Sequence, residues 1–174
     1  ASNNDDQLLT VNVNGLQYAW IFTYPDTGIV SGELHLPLDR PVRLNISASD
    51  VIHAFWVPEF RLKQDAVPGQ ETHLSFIPSK VGNYPLICAE LCGAYHGGMR
   101  TRVLVQAPEE YQDWVKSQQT TALADPKTII AAVHDEAMTS QVAAMGFAPG
   151  ETAMDHMQHH ALSKPETVQI AQAL

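Results

Sequence analysis

A chain of 174 residues, 45% hydrophobic and 17% charged, is globular in composition and long enough for one modest core with further material beside it. Its formal net charge of −9, divided into −5 through residue 119 and −4 beyond, excludes nucleic acid, whose phosphates demand a basic surface. The same balance suits a basic partner and equally suits plain solubility. No run of about 18 apolar residues occurs and no basic-apolar signal segment opens the chain, so nothing here is predicted to span a bilayer.

Residues 8–15 alternate apolar and polar side chains, the period-two pattern of a half-buried strand. Further short β-like runs are predicted at 17–24, 33–38, 41–48, 72–77, 83–88 and 101–106, separated by turn formers. Many short strands punctuated by Pro and Gly predict a mainly β sandwich or barrel. Pro108, Glu109 and Glu110 then make an acidic first turn followed by Tyr111, Trp114 and Val115, a short helix expected to pack its aromatic face on the sandwich. These elements make one domain over residues 1–119. A C-terminal extension over 120–174 is expected to be helical or partly disordered. Within it Asp125 and Pro126 read as a cap and first helical position, Ile129, Ile130, Val133 and Ala137 follow at helical spacing, and Gly146 ends the helix. Ser163 and Glu166 form a capping-box pattern for a further helix.

Chemistry concentrates in one stretch. Cys88, Cys92, His96 and Met99 bring both cysteines of the chain, a histidine and a methionine within twelve residues. Thiolate and thioether are soft ligands and imidazole is borderline, so a pocket offering all three favours copper over hard, oxygen-loving cations. Pro85 upstream and Gly93, Gly97 and Gly98 within argue against a helix, and strand-like flanks place the cluster on an interstrand loop. A Cys88–Cys92 disulfide is an alternative in an exported protein, one that leaves the spacing of His96 and Met99 unexplained.

A single blue-copper ion needs one cysteine, two histidines and a weak axial methionine. Here a second cysteine is available, and two thiolates can each bridge two ions, leaving one imidazole per ion to complete a trigonal set. That set lacks one nitrogen. His53 is the best candidate, because the apolar, β-rich stretch from Asp50 to Pro58 can carry a lone polar ring to a buried site. A lone histidine in such a stretch is otherwise an ordinary core residue.

Three blocks of the chain resemble the water-soluble dinuclear copper (CuA) domain of subunit II of the haem-copper cytochrome c oxidases. They are Gly15 to Pro25, with Tyr18, Trp20 and Tyr24; Asp50 to Gly69, with His53, Lys63, Asp65 and Pro68; and Cys88 to Met99. The similarity covers roughly residues 10 to 116, the size of one small β domain. It implies a cupredoxin-like Greek-key sandwich with His53 and His96 as terminal nitrogen ligands, Cys88 and Cys92 as bridging thiolates and Met99 as a weak axial ligand. The Glu90 backbone carbonyl would be the other axial contact, and its carboxylate would reach a magnesium or manganese ion at the boundary with subunit I. Read without the family, a charge between two ligating cysteines is expensive to bury unpaired, so Glu90 is expected to face water, a cation or a partner.

The family commonly has tryptophan where this chain has Tyr18, with Trp20 matching the next aromatic. The resemblance implies that the donor docks and electrons enter near Tyr18 and Trp20, the first position above all, where an amphipathic tyrosine suits a half-wet docking surface. For Trp20, core packing is the plainer role. Asp50 and Asp65 flank His53, and a carboxylate beside an imidazole commonly sets its orientation; turn or cap roles stay open, and Asp65 is further implied at the subunit interface. His35 and His73 are expected to be surface or cross-strand residues, not ligands.

The function so implied is to accept single electrons from a c-type cytochrome or a plastocyanin-like donor and pass them to haem in subunit I, where oxygen is reduced. The chain would then belong to an oxidoreductase and translocase, while on its own it would transfer electrons without turning over oxygen. Family members carry N-terminal membrane helices, so the chain is expected to be a soluble part of a membrane-anchored protein, on the periplasmic or equivalent luminal side of a bacterial membrane. Alternatives are the dinuclear copper domain of a nitrous oxide reductase, which Glu90 disfavours, a mononuclear blue-copper carrier with Cys88 idle, and a copper chaperone. In the extension, Met154, His156, Met157, His159 and His160 offer further copper donors, but an exposed polar helix accounts for the same residues.

Overall fold

Alternation in the first strand, β1 (Leu9–Leu16), sends Leu9, Val11 and Val13 to one face, and all three are buried. The computed structural model describes residues 8–119; the predicted helices and the Met/His cluster beyond residue 119 lie outside the described residues. After β1 come β2 (Ala19–Tyr24), β3 (Ile29–Ser31), β4 (Leu34–Pro37), β5 (Val42–Ala48), β6 (His53–Val57), β7 (Leu62–Ala66), β8 (Thr72–Phe76), β9 (Gly82–Cys88), β10 (Arg100–Gln106) and the helix α1 (Pro108–Gln119). They form two five-stranded sheets, ordered β3-β2-β1-β5-β8 and β4-β10-β9-β6-β7. The pairs β1–β5 and β4–β10 are parallel and the others antiparallel, so the chain passes between sheets and does not zigzag within one. This is the mainly β sandwich that the strand pattern predicts, in the cupredoxin-like form that the resemblance implies. The core between the sheets comes from the inward positions of each strand: Val42, Leu44 and Ile46 on β5, Val103 and Val105 on β10, Leu86 on β9, with Trp20 and Phe22 on β2.

Three differences from the predicted elements have physical causes. The run 17–24 is not all strand: Gln17 and Tyr18 make the turn and pairing resumes at Ala19 opposite Leu16. β3 has three residues, too few to show a period, and β7 is an edge strand whose Lys63 and Asp65 face water, hiding its strand character. Pro85 sits inside β9, although a proline cannot donate to a ladder. It is tolerated because β6 meets β9 only at Cys88 and Ile87, short of the proline.

The helix α1 starts at Pro108, where a missing N–H costs nothing, and turns Tyr111 and Val115 into the core. Trp114 meets Tyr24 edge-on at 5.1 Å and stacks on the His35 ring at 4.1 Å and 8°. His35 is therefore not a surface residue. It is 8% exposed, because Trp114 of α1 stacks over it, and it is cross-strand, its Nδ1 3.0 Å from Oε1 of Gln106 on the neighbouring β10. His73 is exposed and cross-strand, 3.1 Å from Asn45 Oδ1 on β5. Among the described residues, no helix is long and apolar enough to cross a membrane.

Burial holds the His35 imidazole below its ordinary pKa, opposed by the bond to Gln106 and the charge of Glu33 and assisted by that of Arg102. The unfolded chain therefore takes up a proton first as pH falls. The stability from this group is complete above about pH 6.5, the unperturbed value, and is lost as pH drops from there through the lowered folded value. His35→Phe keeps a ring on Trp114 but cannot titrate. Its Tm is expected to fall less between about pH 7.5 and about pH 5 than that of the unaltered chain, measured by thermal melts; parallel curves would dismiss the assignment.

Candidate metal centre

Cys88 ends β9, and Arg100 opens β10, its hairpin partner, so the intervening loop is held at both feet. The Cys88 N–H donates to the Met99 carbonyl at 3.0 Å, fixing two sulfur residues relative to each other. Phe55 pairs with Cys88 across β6 and β9, and the Ala89 N–H donates to the Ala54 carbonyl at 2.9 Å, which brings His53 to the same end of the sheet. Between the feet, short turns place His96: its N–H donates to the Gly93 carbonyl at 3.2 Å, and the Met99 N–H returns to the His96 carbonyl at 3.1 Å.

The result is a convergence of donors. Cys88 and Cys92 are buried, unbonded to each other, with their Sγ atoms 3.8 Å apart. His53 Nδ1 lies 3.8 Å from Cys88 Sγ, His96 Nδ1 lies 3.5 Å from Cys92 Sγ, and Met99 Sδ lies 3.7 Å from Cys92 Sγ. Cys88 Sγ also stands 3.3 Å from the Glu90 carbonyl oxygen. Ligand atoms of His53, Cys88 and Cys92 all fall within 4.8 Å of one another. His53 and Met99 are fully covered, whereas the Glu90 side chain is exposed.

Asp50 controls the His53 ring. Its Oδ1 lies 2.8 Å from His53 Nε2 and accepts the Val51 N–H at 2.6 Å, while Oδ2 accepts the Gln17 N–H at 2.6 Å. With Nε2 committed to the carboxylate, Nδ1 is the nitrogen that faces the thiols. Burial opposes charge on Asp50, but its bonds to Gln17, His53 and Val51 outweigh it and hold the carboxyl below its usual range. Asp65, expected beside the imidazole as well, does not reach it. Strand alternation turns its side chain outward to Lys63, 3.4 Å away.

The two thiols are unequal. Burial raises the Cys88 pKa, yet hydrogen bonds to His53, to the backbone at Ala54 and Glu90 and to His96 bring it down to about 6. Burial and the negative charge so formed on Cys88 push Cys92 up. Behind this pair lies an aromatic wall: Trp20 meets His53 at 6.0 Å and Phe55 at 5.8 Å, both edge-on. Gly15 lets these rings in, since a Cβ there would stand 3.0 Å from His53 Cδ2 and 3.1 Å from Trp20 Cζ3. Trp20 is 1% exposed, so it cannot meet a partner, and Tyr18 is 8% exposed with its hydroxyl accepting the Ala94 N–H at 3.1 Å. Two features had no place in the sequence reading. Gln17 Nε2 donates to the Cys92 carbonyl at 2.6 Å, and Leu91, between the two cysteines, is 78% exposed. An apolar residue between ligands was the legible signal for Leu91; Gln17 carried none.

The donor set fits copper. A metal–thiolate bond is about 2.3 Å, so one ion can touch sulfurs 3.8 Å apart. Two cysteines and two histidines would also satisfy zinc, but the buried Met99 thioether at the same cluster is a soft donor that selects copper.

The sequence pattern of cytochrome c oxidase subunit II, periplasmic domain, matches residues 29–107. Cytochrome c oxidase subunit 2 of Synechocystis sp. is 54% identical over 143 residues, covering 79% of this chain and 43% of that protein, so the chain spans less than half of this relative. The crystal structure of the periplasmic domain of subunit II of cytochrome oxidase (CoxB) of Bradyrhizobium japonicum is similar with a TM-score of 0.62 at 30% identity, over 65% of this chain and 94% of that one. Another similar structure is a mixed disulfide intermediate between thioredoxin-like TlpA and subunit II of cytochrome c oxidase, with a TM-score of 0.58 at 29% identity, over 65% and 92% of the two chains. Common architecture across nearly the whole of the Bradyrhizobium domain, with sequence agreement through both segments that carry the candidate donors, places this chain in the cytochrome c oxidase subunit II family as its periplasmic domain.

Proposed function

We propose that this domain is where electrons enter a haem-copper cytochrome c oxidase, accepted singly at a dinuclear copper centre from a c-type cytochrome or a plastocyanin-like donor and destined for haem in subunit I. The observation that supports it is the pair of buried, unbonded thiols, each facing its own imidazole nitrogen. Cys88 and Cys92 would bridge the ions, His53 and His96 would cap them, and Met99 and the Glu90 carbonyl would approach weakly from the sides. A copper pair supplies one-electron redox chemistry with the charge change shared between two ions. The chain's own part is to hold the donors still, to keep water out with Trp20 and Phe55, and to aim His53 through Asp50. The exposed Glu90 carboxylate suits a magnesium or manganese ion at the subunit I boundary.

A mononuclear carrier would leave Cys88 idle, although it is buried among the donors and the more acidic of the two thiols. A nitrous oxide reductase is disfavoured because the family shown is that of the oxidase subunit. Ile52 and Leu91, 47% and 78% exposed beside the proposed ligands, suit a docking face for the donor or for subunit I, and Tyr18 is bonded to the Cys92–His96 loop at Ala94. Thiols this close can oxidise to a disulfide that no copper could enter, so a thioredoxin-like reductant is proposed as a partner before loading, on the side of the membrane where the anchored protein meets the periplasm or lumen.

Copper-loaded protein is expected to bind two coppers and show electron paramagnetic hyperfine splitting from two equivalent nuclei. Cys88→Ser should abolish the paired spectrum; one copper with single-nucleus splitting in the unaltered chain would establish the carrier instead. Asp50→Ala is expected to weaken copper retention against a chelator roughly 10–100-fold, the usual cost of losing a partner that orients a ligand. Retention equal to that of the unaltered chain would remove Asp50 from the centre.

A further inference from the structure

The turn between β1 and β2 touches both arms of the metal centre. On one side, the segment leading to His53 is stitched to β1: Ser49 N–H donates to the Gly15 carbonyl at 3.0 Å and Asn14 Nδ2 to Ser49 Oγ at 2.6 Å. Gln17 continues this seam, its N–H donating at 2.6 Å to Oδ2 of Asp50, the carboxylate that holds His53. On the other side, Gln17 Nε2 donates to the Cys92 carbonyl at 2.6 Å. Tyr18 adds a hydroxyl for the Ala94 N–H and an edge-on contact with Tyr95 at 5.4 Å. Gly93 shows how closely the two pieces approach. Its φ of +135° favours glycine, and a Cβ there would stand 2.8 Å from Gln17 Nε2 and would also strike the Tyr18 hydroxyl.

We infer that Gln17 is a positioning residue of the metal centre, a clamp that holds the Cys92 carbonyl and the Asp50 carboxylate at once and so sets the gap between the Cys92–His96 arm and the His53 arm before metal arrives. The consequence for copper rests on the function proposed above; the clamp itself belongs to the metal-free chain. The side chain must be long enough to cross the gap and must donate. Glutamate has the reach but presents an acceptor to a carbonyl, asparagine donates but is one carbon short, and leucine keeps only the bulk.

The test uses the full chain with Gln17→Glu and Gln17→Leu. In metal-free protein, amide hydrogen exchange over residues 89–98 is expected to quicken at least tenfold in both variants, while exchange in β8 stays unchanged. In copper-loaded protein, loss to a chelator should be roughly 10–100-fold faster and the copper hyperfine pattern altered, in line with other residues that orient ligands. Unchanged loop exchange in both variants would overturn the clamp, as would equal acceleration in the loop and in β8, which marks a general loss of stability. If Gln17→Leu does not fold, Gln17→Glu, nearly identical in shape, carries the same comparison. Quickened loop exchange in a chain that binds no copper would uphold the clamp and reject the proposed function instead.

Discussion

The bond between Asp50 and His53 is the constraint on which the rest of the site depends. His53 has none of its surface in water, and an unpaired polar atom so placed costs about 1–3 kcal/mol. Its two nitrogens must both find partners inside the protein. Asp50, reached by the backbone N–H groups of Gln17 and Val51, can satisfy one nitrogen while staying at the surface with its charge partly solvated. The other nitrogen is left to the thiols. A carboxylate three residues before the ring thus chooses which imidazole nitrogen faces the thiols and would be offered to a metal, and it does so without entering the pocket.

The scaffold turns that local choice into a site. The candidate ligands arrive from β6, from the end of β9 and from the loop before β10, and these three strands are neighbours in one sheet. Ladder bonds fix His53 against Cys88 and Cys88 against Met99, leaving only Cys92 and His96 on backbone without a ladder. That part is supported by the other sheet, through the turn that ends β1. The centre therefore sits where the two sheets are tied together, and disturbance of either is felt there.

Much of this was legible in the sequence, and the limits are physical. Cys88, Cys92, His96 and Met99 could be read because their spacing is local and their chemistry rare. His53 followed from counting donors, since two thiolates and one imidazole leave a shell short of a nitrogen. The strands with clear alternation were found, whereas β7 escaped because an edge strand carries charge where a central one would not. Asp65 was expected beside His53 from its place in the sequence, but alternation sent it to the outer face. His35 read as a surface or cross-strand residue; it is cross-strand, bonded to Gln106, but its burial was not legible, because the helix that covers it lies about seventy residues later and periodicity says nothing about which face receives it. Gln17 left no trace at all. A glutamine in a turn is ordinary, and the hydrogen bonds that tie it to Asp50 and Cys92 span 33 and 75 residues.

The charges in the metal-free pocket already anticipate a cation. Cys88 gives up its proton readily because His53 and His96 stabilise the thiolate, and burial, which would otherwise lower the His53 pKa, is overcome by its bonds to Cys88 and Asp50. A proton on the His53 and Cys88 pair is thereby held close to where a metal ion would sit, with Asp50 retaining the far nitrogen. Cys92 cannot follow, since a second thiolate beside the first in a buried site is opposed by both burial and repulsion. Only a group bringing positive charge removes that opposition. Metal binding would then exchange protons for cations in a cluster whose backbone is already fixed, and under the proposed function the same fixity would keep the donors from moving when a single electron arrived, a task for which a rigid β frame is suited.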